Sequence, residues 1–220
     1  MPQLQASNKI PAKKKTILIT AGPTIEPIDP VRYISNYSTG VMGYEIAKVA
    51  RKRGYKVMLI SGPTSLKAPK GVRLISVKTA FEMRKAVFKF FGLADCVIMA
   101  AAVSDFHPVS FSKKKIKKLT KKKFSLKLKK TPDILLELGK KKGRRFLVGY
   151  SLETERPIEN AKKKLASKNL DFIVVNKIGR KTSPFGTGQK DIAIIDRKKT
   201  EVFRGVSKRG VARLLLDKIF

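Results

Sequence analysis

Tryptophan is absent from this chain of 220 residues, cysteine and histidine occur once each, and acidic residues number 16 against 50 basic ones. A lone cysteine excludes a disulfide within the chain. Cys96 lies in the apolar run DCVIMAAAV, so it reads as an inert buried thiol in a reducing compartment. The lone His107 is followed by Pro108 and reads as a turn residue more than a general base. No zinc-ligand cluster, Ser/His/Asp set or nucleophile elbow emerges. No apolar run approaches the length of a membrane span, and the N-terminus lacks the apolar stretch of a signal peptide, so the expected address is the cytoplasm with no membrane partner.

What is present is a foldable core under a basic surface. Hydrophobic residues make up 42% of the chain, which supports a globular domain over a disordered one. The net charge of +34 draws anions of every kind, nucleic acid included. It is spread along the chain, however, and the basic stretches have few aromatics and no nucleic-acid motif, so no specific nucleic-acid partner is expected. Met1 to Lys15 reads as a basic tail or linker, and residues 16–220 as one domain.

Apolar runs alternate with helical patterns, the signature of an α/β fold: a Rossmann-like, mostly parallel sheet flanked by helices. Strands are expected at Thr16 to Ala21, Tyr55 to Ser61, Val72 to Val77, Asp95 to Val103, Phe146 to Tyr150 and Asp171 to Asn176. Helices are expected from near Ser38 to Arg53, from the Thr79 cap to Phe91, from a first turn at Pro132, and over Pro157 to Asn169. A basic flap is inserted at about 110–130. A loop around Phe185 to Gly188, a C-terminal hairpin (IAIID, then EVF) and a helix from Ser207 to Phe220 close the chain.

Ligands of open α/β sheets sit beyond the carboxyl ends of the strands. Here those ends are AGPT, SGPT, AAAVSDF, GYSLET and VVNKIG. Ser38, Thr39, Gly40 and Gly43, at the start of the first helix, can turn backbone N–H groups toward an anion. Asn36 just before them can orient or stabilise a developing oxyanion. Asp105 closes the fourth strand, where a carboxylate can hold ribose hydroxyls or a metal. The flap lysines Lys115, Lys117 and Lys118 can close over phosphates. Lys164 and Lys168, four apart on one helix, are like charges that an anionic ligand would reconcile. The connection after the first strand is not GxGxxG, and no acidic residue ends the second strand, which disfavours a nicotinamide-dependent oxidoreductase.

Taken in order, ILITAGPTIEPIDPVRYISNYSTGVMG (Ile17 to Gly43), AAAVSDF, KIKK, KTPDILLEL, VGYSLET and KLASKNLDFIVVN resemble the phosphopantothenoylcysteine synthetase family, the ligase module of the bacterial bifunctional coenzyme A biosynthesis protein. The resemblance implies a two-step ligase. CTP activates the carboxylate of 4′-phosphopantothenate as an acyl-cytidylate with loss of pyrophosphate, and L-cysteine then displaces CMP. An ATP-using version is the alternative, since animal relatives use ATP. By the same resemblance Asn36 stabilises the acyl-cytidylate and Lys115 serves the triphosphate. Ser38, Gly40, Asp105, Pro132, Asp133, Ile134, Leu135, Tyr150, Lys164 and Lys168 bind nucleotide, and Ala101 and Ala102 line the phosphopantothenate path. Mg²⁺ and a homodimer are implied too, with a flavin-dependent decarboxylase as a separate partner. Two positions and one segment depart from the family, the segment being Phe185 to Lys190, only loosely like the family's loop before its late strand. Tyr150 stands where Phe is usual, adding a hydroxyl to the aromatic face, and Val41 replaces a usual basic residue.

Overall fold

The computed structural model describes residues 15–117, 124–177 and 188–220. Most of the expected N-terminal tail, the middle of the basic flap with Lys118, and all but the end of the expected loop at 185–188 lie outside them.

The first strand, β1 (Thr16–Ala21), is buried nearly throughout because its alternate side chains enter two different cores. Ile17, Ile19 and Ala21 join one cluster and Leu18 the other. Such a strand belongs mid-sheet, with helices on both faces. The rest follow as β2 (Ile25–Pro27), β3 (Tyr33–Ser35), α1 (Val41–Lys52), β4 (Lys56–Ser61), β5 (Arg73–Ser76), α2 (Ala80–Phe91), β6 (Cys96–Met99), β7 (Phe106–Pro108) and β8 (Leu128–Lys130). The chain continues through α3 (Ile134–Lys140), β9 (Phe146–Glu153), α4 (Pro157–Ser167), β10 (Phe172–Lys177), β11 (Lys190–Ile195), β12 (Thr200–Val206) and α5 (Lys208–Ile219).

The main sheet runs β12-β11-β10-β9-β6-β1-β4-β5. From β10 to β5 all pairings are parallel, while β11 and β12 add an antiparallel hairpin at the edge. Renumbered within the parallel part, the order is the 3-2-1-4-5-6 of Rossmann folds, whose crevice opens where the winding reverses, between β1 and β6. Helices α1 and α5 pack on one face with Tyr44, Ile46, Val211 and Leu215, and α2, α3 and α4 on the other with Met83, Phe90, Leu138 and Leu165. Among the described residues no helix is long and apolar enough to cross a membrane.

Several boundaries differ from the sequence reading, each for a local reason. α1 starts at Val41 instead of near Ser38. Its N-cap is Gly40 at φ 78°, and Ser38 closes the preceding turn, its Oγ accepting from Gly40 N–H at 3.3 Å. The fourth strand stops at Met99, because beyond it the chain bonds to the end of β1 and the loop that follows: Ala101 N–H donates to Thr20 Oγ1, and Ala102 N–H to the Gly22 carbonyl. Asp105 therefore lies past the strand it was expected to close. Pro132 precedes α3, and Asp133 is the N-cap, its carboxylate accepting from Leu136 N–H at 3.0 Å. α4 ends at Ser167, with Lys168 as C-cap and Asn169 left-handed at φ 51°.

Two small ribbons sit outside the main sheet. β2 and β3 form a hairpin whose turn is held by Asp29, its Oδ1 accepting from Val31 and Arg32 N–H at 2.8 Å each. β7 and β8 pair antiparallel and form the stem of the basic flap.

Candidate ligand-binding site

Two clefts lie at the crevice between β1 and β6. The first, of about 440 Å³, is lined by the 36–42 segment, by Ala100–Val103 and Asp105, by Tyr150–Leu152, and by residues of β10, β11 and α5. The second, of about 470 Å³, is lined by Met99, Ala101, Val103, Asp105, Phe106, the 130–135 segment, Tyr150 and Lys168. Ala101, Val103, Asp105 and Tyr150 line both, so the two clefts share a wall.

The first cleft is built by close backbone packing. Gly40 must be glycine twice over: its φ is left-handed, and a Cβ there would stand 3.2 Å from the Gly22 backbone. Gly43, expected to offer its N–H to an anion, is instead buried inside α1. A Cβ on it would fall 2.5 Å from Ala21 Cβ and 2.8 Å from the Thr20 carbonyl oxygen. Its task is to let α1 sit on the end of β1. With that helix held close, its N-terminus opens on the cleft. α1 has neither a side-chain cap nor an acidic residue in its first turn. Its positive end is thus left to whatever enters.

Asn36 is exposed on the strand-like segment entering the cleft, and its Nδ2 donates to the Ala102 carbonyl at 3.0 Å. This bond bridges the two sides of the crevice and fixes the direction of the amide. A primary amide has a second N–H to give. Asp105 is exposed, and its backbone carbonyl accepts from Thr131 N–H at 2.9 Å, tying the 100–105 segment to the entrance of α3.

In the second cleft, Asp133 and Lys168 form an ion pair of 2.7 Å that links the start of α3 to the end of α4. Lys164 turns elsewhere: its Nζ donates to Glu153 Oε1 at 2.8 Å and to Ser151 Oγ at 2.9 Å. Burial alone would raise the Glu153 pKa, but the hydrogen bonds from Lys164 and Ser151 outweigh it and hold the carboxyl below its ordinary value. The two lysines read as repelling neighbours are therefore each matched to a carboxylate. Burial pushes the Tyr150 hydroxyl well above the usual phenol range.

Of the residues singled out from sequence, Asn36, Ser38, Gly40, Ala101, Ala102, Asp105 and Tyr150 line the first cleft. Pro132, Asp133, Ile134, Leu135 and Lys168 join them through the second. Lys115 and Lys164 line neither. Lys115 is exposed, although its neighbour Ile116 is anchored: its N–H donates to Asp29 Oδ2 at 3.0 Å and its carbonyl accepts from Arg32 at 2.6 Å. Sequence reasoning missed Lys190, Lys208 and Asn176, which also line the first cleft. Lysine is so frequent here that two buried ones carry no local signal. Among the described residues no group of three or more His, Cys, Asp or Glu side chains gathers to hold a metal ion.

Comparison with known proteins gives the geometry a context. The model of the DNA/pantothenate metabolism flavoprotein C-terminal domain family matches residues 12–220. The chain is similar to the coenzyme A biosynthesis bifunctional protein CoaBC of Bacillus subtilis, at 46% identity over 185 residues, covering 84% of this chain and 45% of that protein. It is also similar to a cysteine/cysteine sulfinic acid decarboxylase from an unknown prokaryotic organism, at 43% identity over 212 residues, covering 95% of this chain and 59% of that protein. Among solved structures, the C-terminal domain of a bifunctional CoaBC aligns with a TM-score of 0.80 and 35% identity, over 97% of this chain and 96% of that one. The chain spans about half the length of the curated relatives it matches.

Proposed function

The chain belongs to the DNA/pantothenate metabolism flavoprotein C-terminal domain family, and from that premise we propose that it joins 4′-phosphopantothenate to L-cysteine at the expense of CTP, in coenzyme A biosynthesis. The observation that carries this reading is the shared wall of the two clefts. A two-substrate condensation needs adjoining sites for a nucleotide and an acyl donor, and Ala101, Asp105 and Tyr150 border both.

In this reading a carboxylate oxygen of phosphopantothenate attacks the α-phosphorus of CTP, and the bond to pyrophosphate breaks. Asn36 stands at the crevice with its amide oriented by Ala102, and its remaining N–H steadies the acyl oxygen as charge develops there. Cysteine's amine nitrogen then bonds to the acyl carbon, CMP leaves with the former carboxylate oxygen, and the amine gives up a proton. The α1 N-terminus, with Ser38 and Gly40, and the α3 entrance at Pro132–Leu135 bind the nucleotide, with Lys168 beside them. Lys115 acts from the anchored base of the flap, and Lys164 acts through Ser151 on the cleft wall. Asp105 is the cleft carboxylate that would help hold Mg²⁺ entering with the triphosphate, where the ion would supply neutralisation of phosphate charge. The exposed Val31, Tyr33 and Tyr37 near Asn36 support the homodimer.

A second reading comes from the decarboxylase relative, whose name belongs to a protein longer than the shared part. One experiment separates the two. The protein is given CTP or ATP with phosphopantothenate and cysteine, and pyrophosphate, nucleoside monophosphate and carbon dioxide are measured. The ligase reading expects pyrophosphate and CMP in equal amounts with no carbon dioxide. Carbon dioxide without pyrophosphate would replace it by the second reading, and a preference for AMP formation would change the nucleotide.

A further inference from the structure

Away from the crevice, the outer surfaces of α1 and α5 carry two rows of cations. Lys48 and Lys52 are four apart on α1, and Arg209 and Arg213 four apart on α5, so each pair runs along one side of its helix with a spacing of about 6 Å. The rows border one groove of about 280 Å³ between the helices, with Val49 and Arg53 completing its lining. Lys48 and Lys52 also line an adjoining hollow of about 570 Å³, together with Arg51 and Lys70. Every charged residue lining either space is Lys or Arg, and neither space shares a residue with the two clefts at the crevice.

Carboxylates reach only part of this charge. Glu45 pairs with Lys48 at 2.7 Å and Asp217 with Arg53 at 2.8 Å. Lys52, Lys70, Arg209 and Arg213 have no ion-pair partner among the described residues. On α4, by contrast, Lys163, Lys164 and the C-cap Lys168 each meet a carboxylate. The dipole of α1 accounts for cations near its C-terminus, where they are stabilising. It does not account for Arg209, which sits at the positive end of α5 with no acidic residue in that first turn.

We propose that the α1–α5 groove binds the phosphodiester backbone of a nucleic acid without choice of sequence. Rows of cations about 6 Å apart match a chain of regularly spaced phosphates, and binding releases the counterions condensed on that chain. No aromatic ring lines the groove or the hollow, so bases find nothing to stack on and sequence is not read. The surface is concave, and no large apolar side chain of α1 or α5 is exposed to enter a bilayer, which favours a nucleic acid over an anionic membrane. The groove lies outside the machinery of the ligase reading and does not depend on it.

Fluorescence anisotropy with a labelled oligo(dT) of about 20 nucleotides, over a range of salt concentrations, tests this. The proteins are the unaltered chain, the groove variant Lys52→Gln/Arg209→Gln/Arg213→Gln, and a control losing the same charge from exposed positions on the opposite face, Lys85→Gln/Lys140→Gln/Arg144→Gln. The groove variant weakens binding by about tenfold or more and lowers the slope of log affinity against log salt by about 2, while the control stays within about threefold. If the groove variant melts early, the double Arg209→Gln/Arg213→Gln gives the same reading with a slope change of about 1.4. Equal losses in groove variant and control overturn the site, since diffuse charge then suffices, and so does an unaltered chain that binds no oligonucleotide. Phosphatidylserine vesicles are the second probe. Vesicle binding lost in the groove variant alone, with oligonucleotide affinity unchanged, would replace the nucleic acid by a membrane surface. The groove variant keeps its ligase turnover, so absent CMP release with oligonucleotide binding intact marks failure of the ligase reading alone.

Discussion

Asp29 Oδ2 accepts a hydrogen bond from the backbone N–H of Ile116 at 3.0 Å, joining the β2–β3 turn to the base of the basic flap across 87 positions of sequence. The same oxygen meets Arg32 Nη2 at 2.5 Å, and that guanidinium also holds the Ile116 carbonyl. Both polar groups of the residue after Lys115 are therefore secured by one buried carboxylate and its arginine.

Replacing Asp29 with Ala should free the flap base and raise the KM for the triphosphate by about tenfold, with a smaller change in kcat. Steady-state kinetics over a range of nucleotide concentrations checks this, and an unchanged KM would remove Asp29 from flap positioning.

The ion pair has a defined pH signature. The hydrogen bond from Arg32 is the largest influence on Asp29, and with the backbone donors it holds the carboxyl well below its ordinary value. A depressed folded-state pKa contributes stability that is fully present above the unfolded value, about 3.9, and is lost as pH falls further. Acid unfolding of the unaltered chain should therefore show a stability loss below about pH 4 that Asp29→Asn lacks. Equal slopes in that window would refute the assignment.

Asp133 combines two tasks that one pair of variants separates. Asp133→Ala removes the α3 cap and the ion pair with Lys168, and should cost about 1–2 kcal/mol by chemical denaturation. Asp133→Asn keeps a capping oxygen and should recover most of that loss. Equal losses for both would mean that the charge, not the cap, stabilises this corner.

Gly43→Ala forces a Cβ into the end of β1 and should destabilise the protein by about 1–3 kcal/mol, measured by denaturant unfolding. A neutral effect would mean that α1 shifts off the strand freely.

How much of this the sequence displayed depended on how local the cause was. β1, Thr79 as the α2 cap and the C-terminal hairpin follow from patterns within a few residues, and the structure contains them. The early end of β6 does not, because it comes from hydrogen bonds of Ala101 and Ala102 to Thr20 in β1 and Gly22 just after it, about 80 positions earlier. The β2–β3 hairpin was missed because each strand has three residues, too few for alternation to register. In the site, Asn36, Gly40 and Asp105 were legible as strand-end and helix-start chemistry and the Pro132–Leu135 turn only through the family resemblance, and all of them line the clefts. The pairing of Lys164 with Glu153 and of Lys168 with Asp133 was not, since it depends on where β9 and α3 come to lie.

An acyl-cytidylate at the crevice can be sought by mass spectrometry of the protein incubated with CTP and phosphopantothenate, without cysteine. The expected result is a species with the combined mass of CMP and phosphopantothenate less water, formed with pyrophosphate and consumed when cysteine is added. In Asn36→Asp that species should be reduced or absent. Pyrophosphate-free solutions and no such species, from folded protein holding both ligands, would contradict it.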